Sequence, residues 1–516
     1  AEEMGRTRGY WWSPEGTRLL VAHTDRRRVN RWHIADPANP GATPNAVAYP
    51  AAGTDNVDVE LFVIDVDGWR IPVDWDRADF PYLVTAHWSP GGPPLIAVQS
   101  RDQRRTQIRS IDPGSGSTQS LHEETDPHWV EIVPGVPAWT PDGRLVRVTA
   151  RAGAHRIVVG DKEITEPPVQ VRSVLDVGER GVLFTASEQD PTEVHVYLAG
   201  AAAPERLSSV EGVHSATMAG DTVVLTSWTM DHCGPSVTVL REGERVAEIR
   251  SHVVTPALEP NVTILAVGER ELRAALLFPT GYRPGSGKLP VVLDPYGGPH
   301  AQRVLRSRNA YLSSQWLADQ GFAVLIVDGR GTPGRGPDWE REIAFDFAGV
   351  TLDDQVDALR EVGRRYQDLD LSTVAIQGWS YGGYLAALAV LRRPDVFHAA
   401  IAGAPVTDWR LYDTHYTERY LGHPDERPEV YDRNSLLFDA PGLARPLMII
   451  HGIADDNVVF AHALRLSSAL VAAGKPHTLL PLPGVTHMTP QDDEVSVNFA
   501  MLRMSWLRDA LGVATP

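Results

Sequence analysis

Three side chains in the second half of the chain could together perform nucleophilic catalysis: Ser380, His487 and an aspartate at 455 or 456. A serine hydroxyl is a weak nucleophile by itself, so Ser380 needs the imidazole of His487 to take its proton. His487 in turn needs a carboxylate that selects its tautomer and stabilises the imidazolium. Asp455 and Asp456 are adjacent, and spacing alone does not decide between them.

The serine lies in the turn of a strand–turn–helix pattern. Residues 373–376 predict a buried strand, and the apolar, Ala-rich run 385–391 predicts a helix that ends before Pro394. The turn between them matches the nucleophile elbow of α/β-hydrolases, in which the serine hydroxyl is exposed above the sheet. Its sequence is Gly378-Trp379-Ser380-Tyr381-Gly382-Gly383-Tyr384. Gly378 and Gly382 leave room where a Cβ would collide in so tight a turn.

The order Ser, Asp, His along the chain is also the α/β-hydrolase order. The apolar runs 447–450 and 478–482 predict two further strands, and the aspartate pair and His487 follow them closely. All three groups are therefore expected at the carboxyl ends of strands, where open α/β sheets place their sites. Strands and helices alternate from about residue 276 to residue 511, which predicts a doubly wound, mostly parallel sheet.

Residues 1–255 predict a different, all-β architecture. Short apolar runs are separated by turn residues, and one motif recurs three times before an apolar strand. Its copies are Trp12-Ser13-Pro14-Glu15-Gly16, Trp88-Ser89-Pro90-Gly91-Gly92 and Trp139-Thr140-Pro141-Asp142-Gly143. Such repeats favour β-propeller blades of about 40–50 residues over a β-sandwich, and this length provides about five or six blades. We expect residues 256–516 to form the α/β-hydrolase domain, with residues 256–260 as the crossing.

Five motifs follow one another in the second half of the chain. They are Leu293-Asp294-Pro295-Tyr296-Gly297-Gly298-Pro299, Asp328-Gly329-Arg330-Gly331, the elbow, Tyr416-Thr417-Glu418-Arg419-Tyr420, and His451-Gly452 through Asn457-Val458. With these motifs in this order, residues from about 291 to 490 resemble the catalytic domain of the prolyl oligopeptidase family, most of all its dipeptidyl peptidase IV branch. The resemblance implies a propeller beside the hydrolase domain, and it selects Asp455 as the catalytic carboxylate.

The resemblance also implies the rest of the site. An oxyanion hole needs two donors, which would be the backbone N–H of Tyr381 and the hydroxyl of Tyr296. An apolar pocket would be walled by Val406, Trp409, Tyr412, Tyr416, Tyr381 and Val458, with Asn457 also binding substrate. On a helix, Trp409, Tyr412 and Tyr416 would share one face. A proline ring suits such a pocket because it is compact, apolar and lacks an N–H, whereas alanine would bury less area.

Glu2 and Glu3 resemble the Glu-Glu pair with which dipeptidyl peptidases hold a free α-amino group. Two carboxylates can accept charge-assisted hydrogen bonds from one ammonium, which would place the cut after two residues. The family's substrate-binding arginine, which comes from an earlier blade, has no counterpart in this chain. Peptidase-IV-like members have eight blades, so the chain resembles a member that begins partway round the propeller.

Composition limits the partners. The net charge of −18 argues against nucleic acid and anionic membranes, and no apolar run is long enough to cross a bilayer. The single cysteine, Cys233, excludes an intrachain disulfide framework. We expect no cofactor and no metal, and a soluble protein that is cytoplasmic rather than secreted. We also expect that its natural N-terminus lies before Ala1 and is missing from this chain. A homodimer is a family expectation.

These observations predict a serine exopeptidase that releases X-Pro, and less readily X-Ala, dipeptides from free N-termini through an acyl-enzyme. Within the same family the alternatives are a prolyl oligopeptidase, a tripeptidyl peptidase and an acylaminoacyl peptidase. Outside peptidases, an esterase or an inactive binding module with too few blades are the other possibilities. The Glu2–Glu3 pair argues against the oligopeptidase, and the aromatic pocket and propeller argue against the esterase.

Overall fold

The computed structural model describes residues 2–200 and 203–514, and of Glu2 only the backbone. Within these residues, five four-stranded antiparallel sheets follow one another along the first half of the chain. The first sheet contains β1 (Tyr10–Trp12), β2 (Arg18–Asp25), β5 (Asp58–Asp65) and β6 (Arg70–Pro72), and the hairpin β3 (Arg31–Ile34) and β4 (Asn45–Ala48) is inserted into it.

In the part of the chain that the structure describes, the other four sheets have no such insertion. The second contains β7 (Tyr82–His87), β8 (Leu95–Gln99), β9 (Arg105–Ile111) and β10 (Thr118–Thr125). The third contains β11 (Ala138–Trp139), β12 (Leu145–Arg151), β13 (Ala154–Val159) and β14 (Lys162–Glu163). The fourth contains β15 (Gln170–Gly178), β16 (Gly181–Ser187), β17 (His195–Ala199) and β18 (Glu205–Arg206). The fifth contains β19 (Val213–Ala219), β20 (Thr222–Trp228), β21 (Ser236–Arg241) and β22 (Glu244–Ile249).

The recurring tryptophan motif forms the turn between the first two strands of a sheet. Ser13 Oγ accepts the backbone N–H groups of Thr17 and Arg18, and Thr140 Oγ accepts that of Arg144 at 2.8 Å. The motif also joins neighbouring sheets, because a Cβ on Gly92 would come within 2.7 Å of the Trp139 indole. Apolar clusters likewise span the first and second, third and fourth, and fourth and fifth sheets. The sheets are thus propeller blades.

The second half of the chain forms one eight-stranded sheet in the order β23-β24-β26-β25-β27-β28-β29-β30. Its strands are β23 (Val262–Val267), β24 (Leu272–Leu277), β25 (Leu289–Leu293), β26 (Ala323–Asp328), β27 (Leu369–Trp379), β28 (Ala399–Gly403), β29 (Leu447–Gly452) and β30 (Thr478–Leu482). From β26 to β30 neighbouring strands are parallel, whereas β23 and β24 are antiparallel. This is the mostly parallel sheet that the sequence predicts.

Helices cover both faces of this sheet, and two apolar clusters fill the layers between them. The α-helices in the described residues are α1 (Leu312–Ala318), α2 (Pro337–Arg341), α3 (Gly349–Arg365), α4 (Tyr381–Arg392), α5 (Thr414–Leu421), α6 (Pro428–Asn434), α7 (Ala461–Ala472) and α8 (Asp493–Leu511). Short 3-10 helices occupy Glu2–Met4, Arg308–Tyr311, Trp409–Leu411 and Ala440–Gly442. The architecture is a partial β-propeller followed by an α/β-hydrolase domain, as predicted.

The predicted boundary at residue 255 falls between β22 and β23, and the division into 1–255 and 256–516 stays a prediction. Across residues 2–200 and 203–514, no helix is both long enough and apolar enough to cross a membrane.

Candidate active site

Ser380 stands at the tip of a strained turn between β27 and α4. Its backbone is in a region that L-residues rarely adopt, with φ 58° and ψ −118°. The turn depends on glycine, because a Cβ on Gly378 would lie 2.3 Å from the backbone of Gly382. A Cβ on Gly382 would in turn lie 2.5 Å from the Pro295 carbonyl oxygen. The local sequence therefore folds into the elbow that its glycines predict.

Asp455 and His487 meet beyond the ends of β29 and β30. The His487 Nδ1 atom lies 2.9 Å from Asp455 Oδ2, and the other carboxylate oxygen accepts the N–H groups of Asn457 and Val458. Asp455 is fully buried, whereas Asp456 is exposed. Burial would raise the pKa of Asp455, but hydrogen bonds from His451 and His487 hold it below its ordinary value. The geometry favours Asp455, the alternative that spacing alone left open.

The loop that carries His487 is fastened to the elbow. The indole Nε1 of Trp379, the residue before Ser380, donates to the His487 carbonyl oxygen at 2.6 Å. Within residues 2–200 and 203–514, no hydrogen bond joins Ser380 Oγ to His487. Such contacts are often long without substrate and tighten in the complex. The elbow and the His487–Asp455 pair nevertheless occupy neighbouring loops at one edge of the sheet.

Tyr296 and Tyr381 lie next to each other, with ring centroids 5.8 Å apart. Tyr381 is the first residue of α4, where backbone N–H groups have no partner within the helix. Burial, and then the negative charge of Glu3, raises the pKa of Tyr296 to about 12. Its phenol therefore keeps its proton at neutral pH and can act as a hydrogen-bond donor. The arrangement places side by side the two residues that were expected to supply the donors of an oxyanion hole.

The predicted pocket residues form one aromatic cluster. Trp409 and Tyr416 are stacked at 6.0 Å, Tyr412 meets Tyr416 edge-on at 5.3 Å, and Tyr381 lies 5.9 Å from Trp409. The complete set is buried: Val406, Trp409, Tyr412, Tyr416, Tyr381 and Val458. Asn457 joins the cluster because its Oδ1 accepts the Tyr412 hydroxyl at 2.8 Å.

These aromatic residues do not lie on one continuous helix. Asp408 caps the 3-10 helix Trp409–Leu411, and Asp413 caps α5 by accepting the Tyr416 N–H at 2.9 Å. Two Asp caps five residues apart divide the segment into two short helices, with Tyr412 extended between them. The rings converge because the chain turns between the helices, rather than because they share a helical face.

A propeller segment holds this cluster in place. Between β4 and β5, Ala51 forms a bridge with Asp413, and the Ala52 N–H donates to the Tyr412 carbonyl at 2.8 Å. The Tyr49 hydroxyl donates to the Asn457 carbonyl at 2.8 Å. The propeller therefore contacts both the pocket segment and the loop that carries Asp455.

Ion pairs fix α5 from its other side. Glu418 receives two 2.8 Å hydrogen bonds from Arg101, and Arg419 donates to Glu131 at 3.0 Å. Both partners, Arg101 and Glu131, belong to the propeller half of the chain. Helix α5 thus turns its aromatic side to the site and its charged side to the blades.

Glu3 lies beside the aromatic cluster. The 3-10 helix Glu2–Met4 packs against α5, and a Glu3 carboxylate oxygen lies 3.9 Å from His300 Nδ1. After burial, the negative charge of Glu3 is the largest influence that raises the pKa of Tyr412. The Glu2 side chain lies outside the described residues, so the structure places only one member of the predicted pair.

Sequence reasoning missed His300 and Tyr49. His300 contacts Tyr416 edge-on at 5.0 Å as well as approaching Glu3. Removal from bulk water, and then the positive charge of Arg419, lowers the pKa of His300 to about 4, so its ring is neutral at pH 7. A signal for His300 was present, since it directly follows the motif that ends at Pro299. Tyr49 carried no such signal, because its contact with Asn457 joins distant parts of the chain.

The assembled groups can transfer an acyl group. They comprise a half-buried serine in a strained turn, a histidine paired with an ionised carboxylate, two potential oxyanion donors and an apolar aromatic cluster. Within the described residues, no group of three or more His, Cys, Asp or Glu side chains could hold a metal ion.

Comparisons with known proteins agree with this architecture. A family model described as "Prolyl oligopeptidase family" matches residues 309–514, and one described as "Dipeptidyl peptidase IV (DPP IV) N-terminal region" matches residues 1–230. The chain is 28% identical to dipeptidyl peptidase 8 of Homo sapiens, over 99% of this chain and 68% of that protein. It is 26% identical to venom dipeptidyl peptidase 4 of Apis mellifera, over 91% of this chain and 67% of that protein.

Solved structures share the same fold. The crystal structure of Porphyromonas gingivalis dipeptidyl peptidase 4 matches with a TM-score of 0.89 and 25% identity, over 99% of this chain and 75% of that one.

Proposed function

Because the chain belongs to the prolyl oligopeptidase family and is a serine dipeptidyl peptidase, we propose that it releases X-Pro, and less readily X-Ala, dipeptides from free N-termini. Residues 1–255 act as the propeller and residues 256–516 as the catalytic domain. The observation that carries the dipeptide specificity is the position of Glu3 beside the aromatic cluster and His300.

Ser380, His487 and Asp455 perform the chemistry. His487 takes the Ser380 proton as Oγ attacks the scissile carbonyl, and then gives it to the leaving amine as the C–N bond breaks. The resulting acyl-enzyme is hydrolysed by a water that His487 activates in the same way. Asp455 holds His487 in the tautomer with its proton on Nδ1 and stabilises the imidazolium.

The oxyanion of each tetrahedral intermediate is bound by the Tyr381 N–H and the Tyr296 hydroxyl. Both donors are uncharged, and a preorganised donor in a water-poor site is worth about 10²–10³ in kcat. The raised pKa of Tyr296 supports this role, because the phenol stays protonated throughout the working pH range.

The residue before the cut, a proline or alanine, enters the aromatic cluster. Its walls are Val406, Trp409, Tyr412, Tyr416, Tyr381 and Val458. Asn457 contributes a polar edge, since its amide is already oriented by the Tyr412 hydroxyl. An apolar pocket admits the ring without leaving a buried N–H unpaired.

Glu2 and Glu3 bind the substrate's α-ammonium. A carboxylate beside the pocket sets the distance from amino group to scissile bond, so only two residues fit before the cut. The neutral ring of His300 beside Glu3 adds no competing positive charge.

A pair of chromogenic amides tests this function. Gly-Pro-p-nitroanilide should be cleaved, whereas its N-acetyl form should be turned over at least about 30-fold more slowly, as expected when a buried charge pair is lost. Equal turnover of both substrates would contradict the dipeptidyl assignment. Preference for the acetylated form would instead support an acylaminoacyl peptidase.

The protein acts as a homodimer in this proposal. Helices α7 and α8 expose apolar side chains, namely Leu464, Val471, Val495, Val497, Met501 and Leu502, and such surfaces are typical of protein contacts. A two-fold dimer would cover exposed apolar side chains of this kind with a second copy of the chain. Light scattering should then give twice the chain mass of 56.5 kDa. A cytoplasmic location belongs to the same proposal and agrees with the single cysteine.

A further inference from the structure

A second histidine touches Asp455 from the side opposite to the solvent. His451 lies at the end of β29 and is fully buried. Its Nε2 atom lies 2.6 Å from the Val458 carbonyl oxygen and 3.4 Å from Asp455 Oδ2, the oxygen that also binds His487. His451 is therefore in contact with both the carboxylate and the far end of the loop that carries it.

The protonation state of His451 follows from its partners. A carbonyl oxygen can only accept, so the proton must be on Nε2. Nδ1 is buried and has no hydrogen-bond partner within the described residues. A proton on Nδ1 would thus be a buried, unsatisfied donor, which is unfavourable for a neutral ring and more so for a charged one. The geometry selects the neutral ring with its single proton directed at Val458 and Asp455.

Resting on the proposed function, we propose that His451 is a positioning residue for Asp455 in this reaction. Its Nε2–H holds Val458 and the carboxylate in one arrangement, so that Oδ2 faces His487 while Oδ1 is bound by the Asn457 and Val458 N–H groups. It also draws part of the negative charge on Oδ2 away from His487. Asp455 is thereby fixed in place and weakened as a partner of the imidazolium.

Other titratable groups face the same carboxylate. His462, on α7, is buried, and its Nδ1 accepts the Thr407 N–H at 3.0 Å. Burial, and then the charge that His451 would carry if protonated, lowers the pKa of His462 well below its usual value, so this ring is neutral. Burial, and to a smaller extent the negative charge of Asp455, raises the pKa of the Tyr49 and Tyr412 hydroxyls far above neutral pH. All three groups are therefore uncharged at neutral pH.

The test follows acylation of Ser380 by a fluorophosphonate, because this reaction needs the triad but no dipeptide. The second-order rate is measured from pH 5 to 9 in the full chain and in His451→Leu. We expect the leucine variant to react about 10–100-fold more slowly at pH 8, as a misplaced catalytic group does. The low-pH limb of its pH–rate profile, its acid limb, should shift to higher pH by about half to one unit, because the full Asp455 charge then stabilises the His487 imidazolium.

The glutamine variant separates positioning from packing. The amide nitrogen of Gln reaches the place of His Nε2, so His451→Gln should react within about threefold of the unmutated rate, with the original acid limb. His398→Leu, at a half-buried histidine that directly precedes β28 and accepts the Val374 N–H, is the control for losing a histidine hydrogen bond outside the site, and it should change neither quantity. If His451→Leu does not fold, His451→Asn replaces it, because its shorter side chain keeps polarity without reaching Val458.

Two results would overturn the proposal. One is an unchanged rate and acid limb in a folded Leu or Asn variant. The other is a His451→Gln variant that reacts as slowly as the Leu or Asn variant and keeps the original low-pH limb of the rate profile. That result would mean that the His451 ring only fills space. Failure of the proposed function looks different, since the fluorophosphonate would react normally while Gly-Pro-p-nitroanilide stayed intact.

Discussion

The two halves of the molecule differ most in how their strands are covered. Strand β26 is buried at every residue, because it pairs with β24 and β25 and has helices above and below it. Strand β22 is exposed at every residue, because it is the outer strand of a blade and pairs only with β21. The hydrolase half is therefore the close-packed part of the molecule, whereas much of the propeller half lies at the surface.

The site divides along the same line. Ser380, Asp455 and His487 follow strands of the eight-stranded sheet, so the proposed acyl-transfer groups all come from the hydrolase half. Glu3 and Tyr49 belong to the propeller half and reach the site only through the packing of the two halves. This contrast predicts that reactivity toward a small acylating reagent and selectivity for free dipeptides can be lost separately.

The largest effect should come from the nucleophile. Ser380→Ala removes only the attacking oxygen, so kcat for Gly-Pro-p-nitroanilide should fall by about 10⁶-fold, while the melting temperature stays unchanged. Labelling by a fluorophosphonate should disappear together with peptidase activity. Peptidase activity retained in a pure sample would exclude Ser380 from the mechanism.

The next effect should come from the carboxylate. Asp455→Asn should lower kcat by about 10⁴-fold, because the amide selects the wrong tautomer of the histidine. Asp456→Asn is the matched control, since Asp456 is exposed and adjacent, and it should stay within about threefold. The reverse ranking in steady-state assays would transfer the role to Asp456.

A smaller effect should separate the halves. Glu3→Ala should lower kcat/KM for Gly-Pro-p-nitroanilide by roughly 30-fold or more, because a substrate ammonium loses a buried partner. Acylation by a fluorophosphonate should change less than about twofold, since the hydrolase half is untouched. In the unmutated protein, kcat/KM should also fall above about pH 8 as the substrate amine loses its proton. A parallel loss of both reactions in Glu3→Ala would contradict the division.

The smallest effect concerns the ion pair between Glu131 and Arg419, which joins the propeller half to the hydrolase half. Burial would raise the pKa of Glu131, but the positive charge of Arg419 holds it at about 2, below its ordinary 4.5. The stabilisation is therefore complete above about pH 4.5 and is lost as pH falls toward 2. Glu131→Gln should lower the melting temperature by a few degrees at pH 7 and flatten its fall between pH 5 and 3, because the buried Arg419 loses its partner.

The control for this ion pair is Glu15→Gln, at an exposed glutamate in a blade turn. It should leave both the melting temperature and its pH dependence unchanged. A Glu131→Gln variant with the full acid sensitivity of the unmutated protein would show that other carboxylates cause the transition.

Much of the hydrolase half was predictable from local pattern. Strand β30 occupies residues 478–482 as predicted, and α8 begins one residue after the Asp492 cap. The elbow was predictable because Gly378 is required by a contact with Gly382, only four residues away. The recurring tryptophan motif likewise predicted the blades, since Ser13 and Thr140 act within their own turns.

Contacts between distant residues were not predictable in this way. The aromatic segment was expected to share a helical face, but Asp408 and Asp413 cap two separate helices. Helix propensity alone could not predict the two separate helices. An Asp side chain stabilises the start of a helix only where the chain before it is not helical. The approach of His300 to Glu3 depends in the same way on how propeller and hydrolase pack.

The sequence by itself determined the fold class and the elbow and predicted the proposed acyl-transfer groups, because these depend on apolar periodicity and on motifs of residues close together in the chain. Only the tertiary structure decided that His451 shares the Asp455 carboxylate with His487, and that Tyr49 supports Asn457. The reason is physical: these contacts are set by which side chains the packed strands and loops bury, and burial is a property of the whole fold.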